Sequence, residues 1–391
     1  MVEIELFEFI KSQLSWDHIT IDFQKPTSPV KLFTLGKNAP DLFKKMSHLN
    51  PLDHFGVTKN NVEGFLQGAH PYPNSQSFKN GEDFIKWLGE FESHELLYAG
   101  ISGGGSALLE YPKEPFSFED VIKIHKVLVE SGLDIREVNK IRALCSNLKA
   151  GQCLRYFTGK AVYQYIASDI PMGDDFWTSS SLFLNPKIKV SRKIIEKTFK
   201  GSIREKLLNA SIEDNQIKTH TNIIINQEKL IKVATEFFAN KSLKIVNISN
   251  SFDQNIDTHL KLLLEKDIDV ICSFNELNIP LIGPVGLGGR NSHFVLLMAK
   301  SIFEDNLLNL TTSELEKISF GSIATDGEDG NSPYAGAYFN YKLYKKSLEM
   351  KLEINQYLID FNSAKYFEEL NCLYNFESQM NLMDFRFIIK N

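Results

Sequence analysis

Cysteine is scarce in this chain: 391 residues carry four, Cys145, Cys153, Cys272 and Cys372, and none forms a C-x-x-C pair. That usage argues against a disulfide framework or a thiolate zinc site, and it reads as reduced thiols in a cytoplasmic protein. Long apolar runs are missing as well. No stretch reaches the 18 or more apolar residues that crossing a bilayer requires, so no membrane span is expected. Basic residues are not in excess. A net charge of -6 and a pI near 5.9 argue against broad attraction to nucleic acid or acidic membrane and favour a small-molecule partner. Met1 to Leu14, with Glu3, Glu5 and Glu8, reads as an amphipathic helix rather than a basic segment followed by an apolar one, so no secretion signal is expected.

Several catalytic signatures are absent too. None of the nine histidines forms an H-x-x-x-H pair with a nearby Glu, which leaves a zinc hydrolase without support. Ser106 stands in S-G-G-G-S rather than in G-x-S-x-G, against a nucleophile-elbow hydrolase. The G-x-G-x-x-G turn of a nicotinamide enzyme is missing after the first strand, where Gly36 stands alone. No glycine run ends in the Gly-Lys-Ser/Thr of a P-loop.

What is present is apolar material in quantity: 43% of the residues are hydrophobic and 29 are Phe, so the core should be Phe-rich. The length favours two domains. Short apolar runs alternate with helical periodicity, the rhythm of an α/β fold. Strands are expected at Val30 to Leu35, Leu96 to Ser102, Lys160 to Ile170, Ile223 to Ile225, Leu243 to Ile248, Asp269 to Ser273, Ile318 to Ala324 and Leu382 to Ile388. Ser117 with Asp120 resembles a capping box opening a helix that stops at Gly132. The pattern predicts two Rossmann-like domains with largely parallel sheets covered by helices, 1–220 and 221–391, with the last strand able to return to the first domain.

Three loops have the composition of anion or cation sites. Ser102-Gly103-Gly104-Gly105-Ser106 follows a strand, where successive backbone N–H groups can point at a phosphate; a tight turn is the alternative. Gly286-Leu287-Gly288-Gly289-Arg290-Asn291 places a guanidinium at a helix start, which also attracts anions, unless it is a surface turn. Asp326-Gly327-Glu328-Asp329-Gly330 suits Mg2+, or is an acidic turn. Lys37 at the first strand end could stabilise a transferring phosphoryl group, though such a lysine is more often simply exposed, and His70, in a rigid loop with Pro71 and Pro73, reads first as part of a structural turn.

Taken in order, these pieces resemble the glycerate 2-kinase family, whose C-terminal half is the MOFRL domain. The resemblance rests on Leu35-Gly36-Lys37-Asn38-Ala39, Ala69-His70-Pro71-Tyr72-Pro73, the run Ile101 to Leu109, and SGLDIREVNKIRALCSNLKAG with Asn139, Arg142, Ser146 and Lys149. It continues through Ser168-Asp169-Ile170-Pro171, LGGRN, TDGEDG and Asn381-Leu382-Met383-Asp384. The resemblance implies ATP- and Mg2+-dependent phosphorylation of D-glycerate, to 2-phosphoglycerate, in a cleft between two domains. On it Lys37, Asp169 and Arg290 would be catalytic. Ser102 to Ser106, Lys149, Gly288 and Gly289 would hold phosphate or nucleotide, His70, Asn139, Arg142 and Asn291 the substrate, and Asp326 and Asp329 the metal.

The chain departs from the family at Trp177-Thr178-Ser179-Ser180, where a serine-glycine-proline-threonine stretch is expected, and at Asn375 to Met380, where a glycine-rich loop is replaced. Those losses keep open a binding relative without turnover; a hydroxypyruvate-type oxidoreductase is a further alternative that fits the substrate class but lacks a nicotinamide fingerprint. Pairing into a homodimer is left open by the sequence.

Overall fold

The computed structural model describes residues 2–390 apart from 185–188, 214–216, 249–255, 266, 278, 280–284 and 376–379. The chain forms two compact units, one of Thr20–Asn226 and one of Met1–Ile19 with Gln227–Asn391.

The first unit is built on six parallel strands: β1 (Val30–Leu35), β2 (Asp53–Thr58), β3 (Leu66–Gln67), β4 (Leu96–Ile101), β5 (Ala161–Ala167) and β6 (Thr219–Ile225). Their order is β3-β2-β1-β4-β5-β6. Successive side chains of β1 serve opposite faces: Val30 and Leu32 pack with Leu96, Tyr98 and Tyr165, while Phe33 and Leu35 pack with Phe84, Trp87 and Ile166. Both faces are covered, which is why apolar residues dominate the central strands β1 and β4. The order reverses between β1 and β4. In open parallel sheets ligands bind beyond the carboxyl ends of the strands at such a switch point.

The second unit carries β7 (Ile245–Ile248), β8 (Val270–Ser273), β9 (Ile318–Ala324), β10 (Gly336–Asn340), β11 (Leu373–Tyr374) and β12 (Asp384–Lys390) in the order β11-β10-β9-β12-β8-β7. The α/β class holds here, but the sheet is mixed: β7 and β8 are parallel, whereas β12 runs antiparallel to both β8 and β9, and β10 antiparallel to β9 and β11. The closing strand does not return to the first sheet. Phe385, Phe387 and Ile389 are buried along it, so its place between β8 and β9 satisfies both its edges and its apolar side chains.

It is the N-terminus that joins the other end of the chain. The amphipathic helix Val2–Gln13 buries Leu6, Phe7 and Ile10, and Phe7 stacks on Tyr374 with ring centroids 4.1 Å apart. The domain border expected near 220 falls inside β6, which extends the first sheet. As composition suggested, the cores are rich in Phe, with Phe33, Phe84, Phe183, Phe294 and Phe320 fully buried. No helix among the described residues is long and apolar enough to cross a membrane.

Candidate active site

At the switch point of the first sheet the loops after β1 and β4 are laced together. Gly36 has φ 116°, and a Cβ there would overlap the Ser102 side chain and carbonyl, so only glycine fits. The Gly36 N–H donates to the Val57 carbonyl at 3.1 Å and the Lys37 N–H to the Gly103 carbonyl at 2.9 Å. The Ser102 hydroxyl is fully buried, donates to the Leu35 carbonyl at 3.1 Å and accepts the Asn38 N–H at 3.0 Å. Ser102 is therefore a brace between strand ends and not the phosphate ligand its position suggested.

Three residues expected from separate segments share this crevice. Gly103 passes so close to the Asp169 carboxylate that a Cβ would overlap it. At Gly104, φ 83°, the Cβ direction faces the Lys37 side chain at 3.3 Å and the His70 ring at 3.4 Å. Gly103→Ala is accordingly expected to displace Asp169 and lower turnover by about 10²-fold, the cost of an ångström-scale misplacement. Steady-state kinetics beside a melting curve checks this, and an active, unshifted variant would remove the constraint.

The crevice is cationic. Burial first, then Lys37, Lys59 and Arg142, push the His70 imidazole down to about 4, so it is neutral at pH 7. Lys59, just past β2, was missed by sequence reasoning because Asp53–Thr58 lacks a strong strand pattern. Arg142, on the helix Ile135–Leu144, is buried, and burial lowers its guanidinium to about 10 against the opposing pull of Glu110, which still leaves it charged. The only hydrogen bond its guanidinium makes among the described residues runs from Nη1 to Asn139 Oδ1 at 3.4 Å, and Nε has no partner there. A buried, under-satisfied cation favours an arriving anion.

Asn139 is buried and serves the neighbouring turn instead of a ligand. It accepts the Ser180 hydroxyl at 3.0 Å and donates to the Trp177 carbonyl at 3.4 Å. In that turn Ser179, Ser180 and Ser181 all have left-handed φ, of 50°, 58° and 57°. Such a run costs roughly 1–2 kcal/mol per residue. It is offset by bonds into the glycine loop: Ser179 donates to the Ser102 carbonyl at 2.6 Å and accepts the Gly105 N–H at 3.1 Å, and Ser180 meets Ser106 at 2.7 Å. The Gly105 N–H and Ser106 hydroxyl, expected to cradle phosphate, are thus spent on the serine turn. That turn stands where the sequence departs from the family pattern.

Lys149 is likewise not a phosphate ligand. It is 1% exposed and its ammonium pairs with the Glu110 carboxylate inside the protein.

In the second unit, the helix Arg290–Ala299 begins as expected after the glycine loop, but its N-terminus is already filled. The Asp329 carboxylate accepts the N–H groups of Asn291 at 2.8 Å and Ser292 at 2.9 Å and the Ser292 hydroxyl at 2.6 Å. The chain supplies its own anion to the helix dipole. Asp329 is therefore a helix cap and not a metal ligand. Asp326 Oδ1 accepts the Glu328 N–H at 3.2 Å, and among the described residues no three His, Cys, Asp or Glu groups gather as a metal site would require. Among the described residues, Asp326 and Asp329 do not build a resident Mg2+ site.

Gly288 and Gly289 pack against Ser363 and Asp329, where a Cβ would collide, and Asn291 is buried and accepts the Ser322 hydroxyl at 2.5 Å. These three are packing positions. Arg290 forks to Asp384 at 2.5 and 3.0 Å and reaches Glu276 at 2.8 Å. Burial opposes its charge, but Asp384 and Glu276 prevail and hold it firmly protonated. With Asp384 1% exposed, removing Arg290 would strand a buried carboxylate, so Arg290→Ala cannot leave the fold untouched. Most of the altered loop at 375–380, namely 376–379, lies outside the described residues.

Comparison with known proteins gives consistent findings. Residues 7–198 match the family described as Domain of unknown function (DUF4147), and residues 270–384 match the MOFRL family. The chain is similar to a glycerate 2-kinase of Picrophilus torridus, 27% identical over 289 residues that cover 69% of this chain and 65% of that protein. It is similar to a glycerate 2-kinase of Sulfurisphaera tokodaii, 29% identical over 280 residues that cover 69% and 67%. The matched segments thus span about two thirds of those relatives. A crystal structure of a glycerate kinase from Thermotoga maritima shares the fold, with TM-score 0.78, 20% identity and coverage of 100% of this chain and 99% of that one.

Proposed function

Because the chain belongs to the glycerate 2-kinase family, with its DUF4147 and MOFRL regions in order, we propose that it is a cytoplasmic phosphotransferase that moves the γ-phosphoryl group of ATP to the C2 hydroxyl of D-glycerate. Mg2+ enters with the nucleotide as part of that substrate, in keeping with the lack of a carboxylate cage among the described residues. One observation carries the reading: Lys37, His70, Asp169 and the under-satisfied Arg142 gather around a glycine loop at the sheet's switch point.

A small hydroxy-acid offers an anion to the under-satisfied Arg142 guanidinium. Its carboxylate is the anion for Arg142, with Lys59 adding attraction, while the neutral His70 ring exchanges a hydrogen bond with a hydroxyl. Asp169 orients the C2 hydroxyl and accepts its proton as the oxygen bonds to the γ-phosphorus and the bond to the β-phosphate oxygen breaks, releasing ADP. Lys37 stabilises the charge on the transferring group. A loose phosphoryl transition state asks for positioning and cations rather than covalent help, which suits this set.

The test is ADP release from ATP and Mg2+ with D-glycerate, beside L-glycerate, hydroxypyruvate and no acceptor, with phosphorus NMR to identify the product. Turnover that requires D-glycerate and yields the C2 phosphate is expected. Folded protein that turns over none of the acceptors would overturn the proposal in favour of a binding relative.

A further inference from the structure

The hydrogen bonds that join Arg142 to the serine turn run in one direction, set by Arg142 itself, and they end on Ser106. Asn139 accepts from Arg142 Nη1 at 3.4 Å and donates to the Trp177 carbonyl at 3.4 Å. A guanidinium can only donate and a carbonyl can only accept, so both contacts place Oδ1 and Nδ2 of Asn139 in the same sense. The Ser180 hydroxyl lies 3.0 Å from Oδ1, which has no hydrogen to give, and its single proton therefore points at Asn139. Ser106 Oγ lies 2.7 Å from Ser180 Oγ. With the Ser180 proton already directed at Asn139, Ser106 must be the donor in that bond.

That polarity decides what Ser106 can bind. Asn139, Arg142 and Ser180 are buried, whereas Ser106 is only half-buried, in the first turn of the short helix Gly105–Leu108. It stands two residues beyond Gly104, whose Cβ direction faces Lys37 and His70. Among the described residues the Ser106 hydroxyl has no hydrogen-bond partner besides Ser180. Its proton is taken up inside the wall, so what remains to meet a ligand is lone pairs alone. Such an oxygen repels a phosphate oxygen, which is also an acceptor, and binds a group that donates.

We propose that Ser106 sets the specificity of this site: its Oγ accepts a hydrogen bond from the C3 hydroxyl of the acid whose carboxylate meets Arg142, selecting 2,3-dihydroxy acids over 2-hydroxy acids without that group. The inference rests on the phosphotransfer reading for the identity of the acid. Asp169 engages the C2 hydroxyl in that reading, which leaves the C3 hydroxyl to supply the donor. An acid lacking it would strip Ser106 of water and return no bond, and a site built around a substrate hydroxyl rejects the analogue that lacks it.

The experiment is calorimetric titration of the full-length protein, in ADP and Mg2+, with D-glycerate, D-lactate and D-3-fluorolactate, comparing wild type with Ser106→Ala. Lactate lacks the C3 hydroxyl, and the fluorine of the third acid fills its place without a proton to donate. Wild type is expected to bind D-glycerate about tenfold tighter than either analogue, the scale of one hydrogen bond. Ser106→Ala should bring D-glycerate down to the level of the analogues and leave their own binding unchanged. If the melting midpoint of the variant falls, the wild-type comparison of D-glycerate with D-3-fluorolactate still decides, because it needs no substitution. Equal wild-type binding of those two acids, a preference that survives in Ser106→Ala, or equal weakening of all three acids overturns the role of Ser106 and leaves the kinase reading standing. Wild type that binds none of the three overturns both.

Discussion

Lys37→Ala is expected to lower kcat by about 10²–10³-fold, the scale for removing one group that stabilises transition-state charge. Stability should change little, within about 0.5 kcal/mol, because Lys37 is only half-buried and the contact that shapes its loop, from its backbone N–H to the Gly103 carbonyl, survives the substitution. A second readout separates an electrostatic role from a structural one. Lys37 is among the cations that depress His70, so its removal should let the imidazole pKa climb from about 4 towards 6.5, visible by proton NMR. Lost turnover with a raised His70 pKa and an unchanged melting midpoint is the predicted combination. Unchanged turnover would take Lys37 out of the mechanism.

Much of the fold was legible because strand burial writes itself into the sequence. Val30–Leu35 and Ile318–Ala324 are buried almost throughout, and the bounds expected from their mainly apolar sequences match the strands to the residue. The Ser117 capping box was equally local, and its reciprocal bonds are present at 3.1 and 3.2 Å. The missed strands lack that signal: Asp53–Thr58 is exposed at its start, and Gly336–Asn340 pairs only antiparallel, next to a glycine-punctuated turn. Nothing local could say that Val2–Gln13 joins the C-terminal unit, since its apolar face is blind to which core covers it.

The site was legible by residue type but not by role. Lys37, His70 and Asp169 were named from motifs, and tertiary folding brings them together. Lys149, Asn139 and Asp329 belong to motifs just as specific, yet each spends its polar atoms inside the protein. Composition reports that a charge is present. Only packing reports whether a partner has already claimed it, as Glu110 claims Lys149 and the helix start claims Asp329.

That distinction sets the largest stability effect expected in this chain, at Glu110. Its carboxylate is fully buried, pairs with the Lys149 ammonium, accepts the Ser146 hydroxyl at 2.5 Å and lies 3.4 Å from His125 Nε2. Burial alone would raise its pKa, but Lys149 and then His125 outweigh it and hold it down at about 2. Glu110→Gln keeps the shape and removes the charge, leaving Lys149 buried without a counter-ion. The cost should be about 3–5 kcal/mol, a fall of roughly 10 °C in melting midpoint for a unit of this size. Lys149→Met should cost a similar amount by stranding Glu110, and the double variant should be far less damaged than the sum, since neither charge then remains. The pH dependence follows from the same groups. A carboxyl held below its unfolded value contributes its stabilisation above about pH 4.3 and loses it as pH falls towards 2. His125, pushed down to about 3 chiefly by burial, stays neutral when folded while the unfolded chain takes up a proton below about pH 6.5, so it too erodes stability in acid. Wild type should therefore weaken steadily below about pH 6, and Glu110→Gln should lose the part of that slope lying below the carboxyl range. Chemical denaturation at a series of pH values measures both, and parallel curves for the two proteins would show that Glu110 is not the charge holding Lys149 in the core.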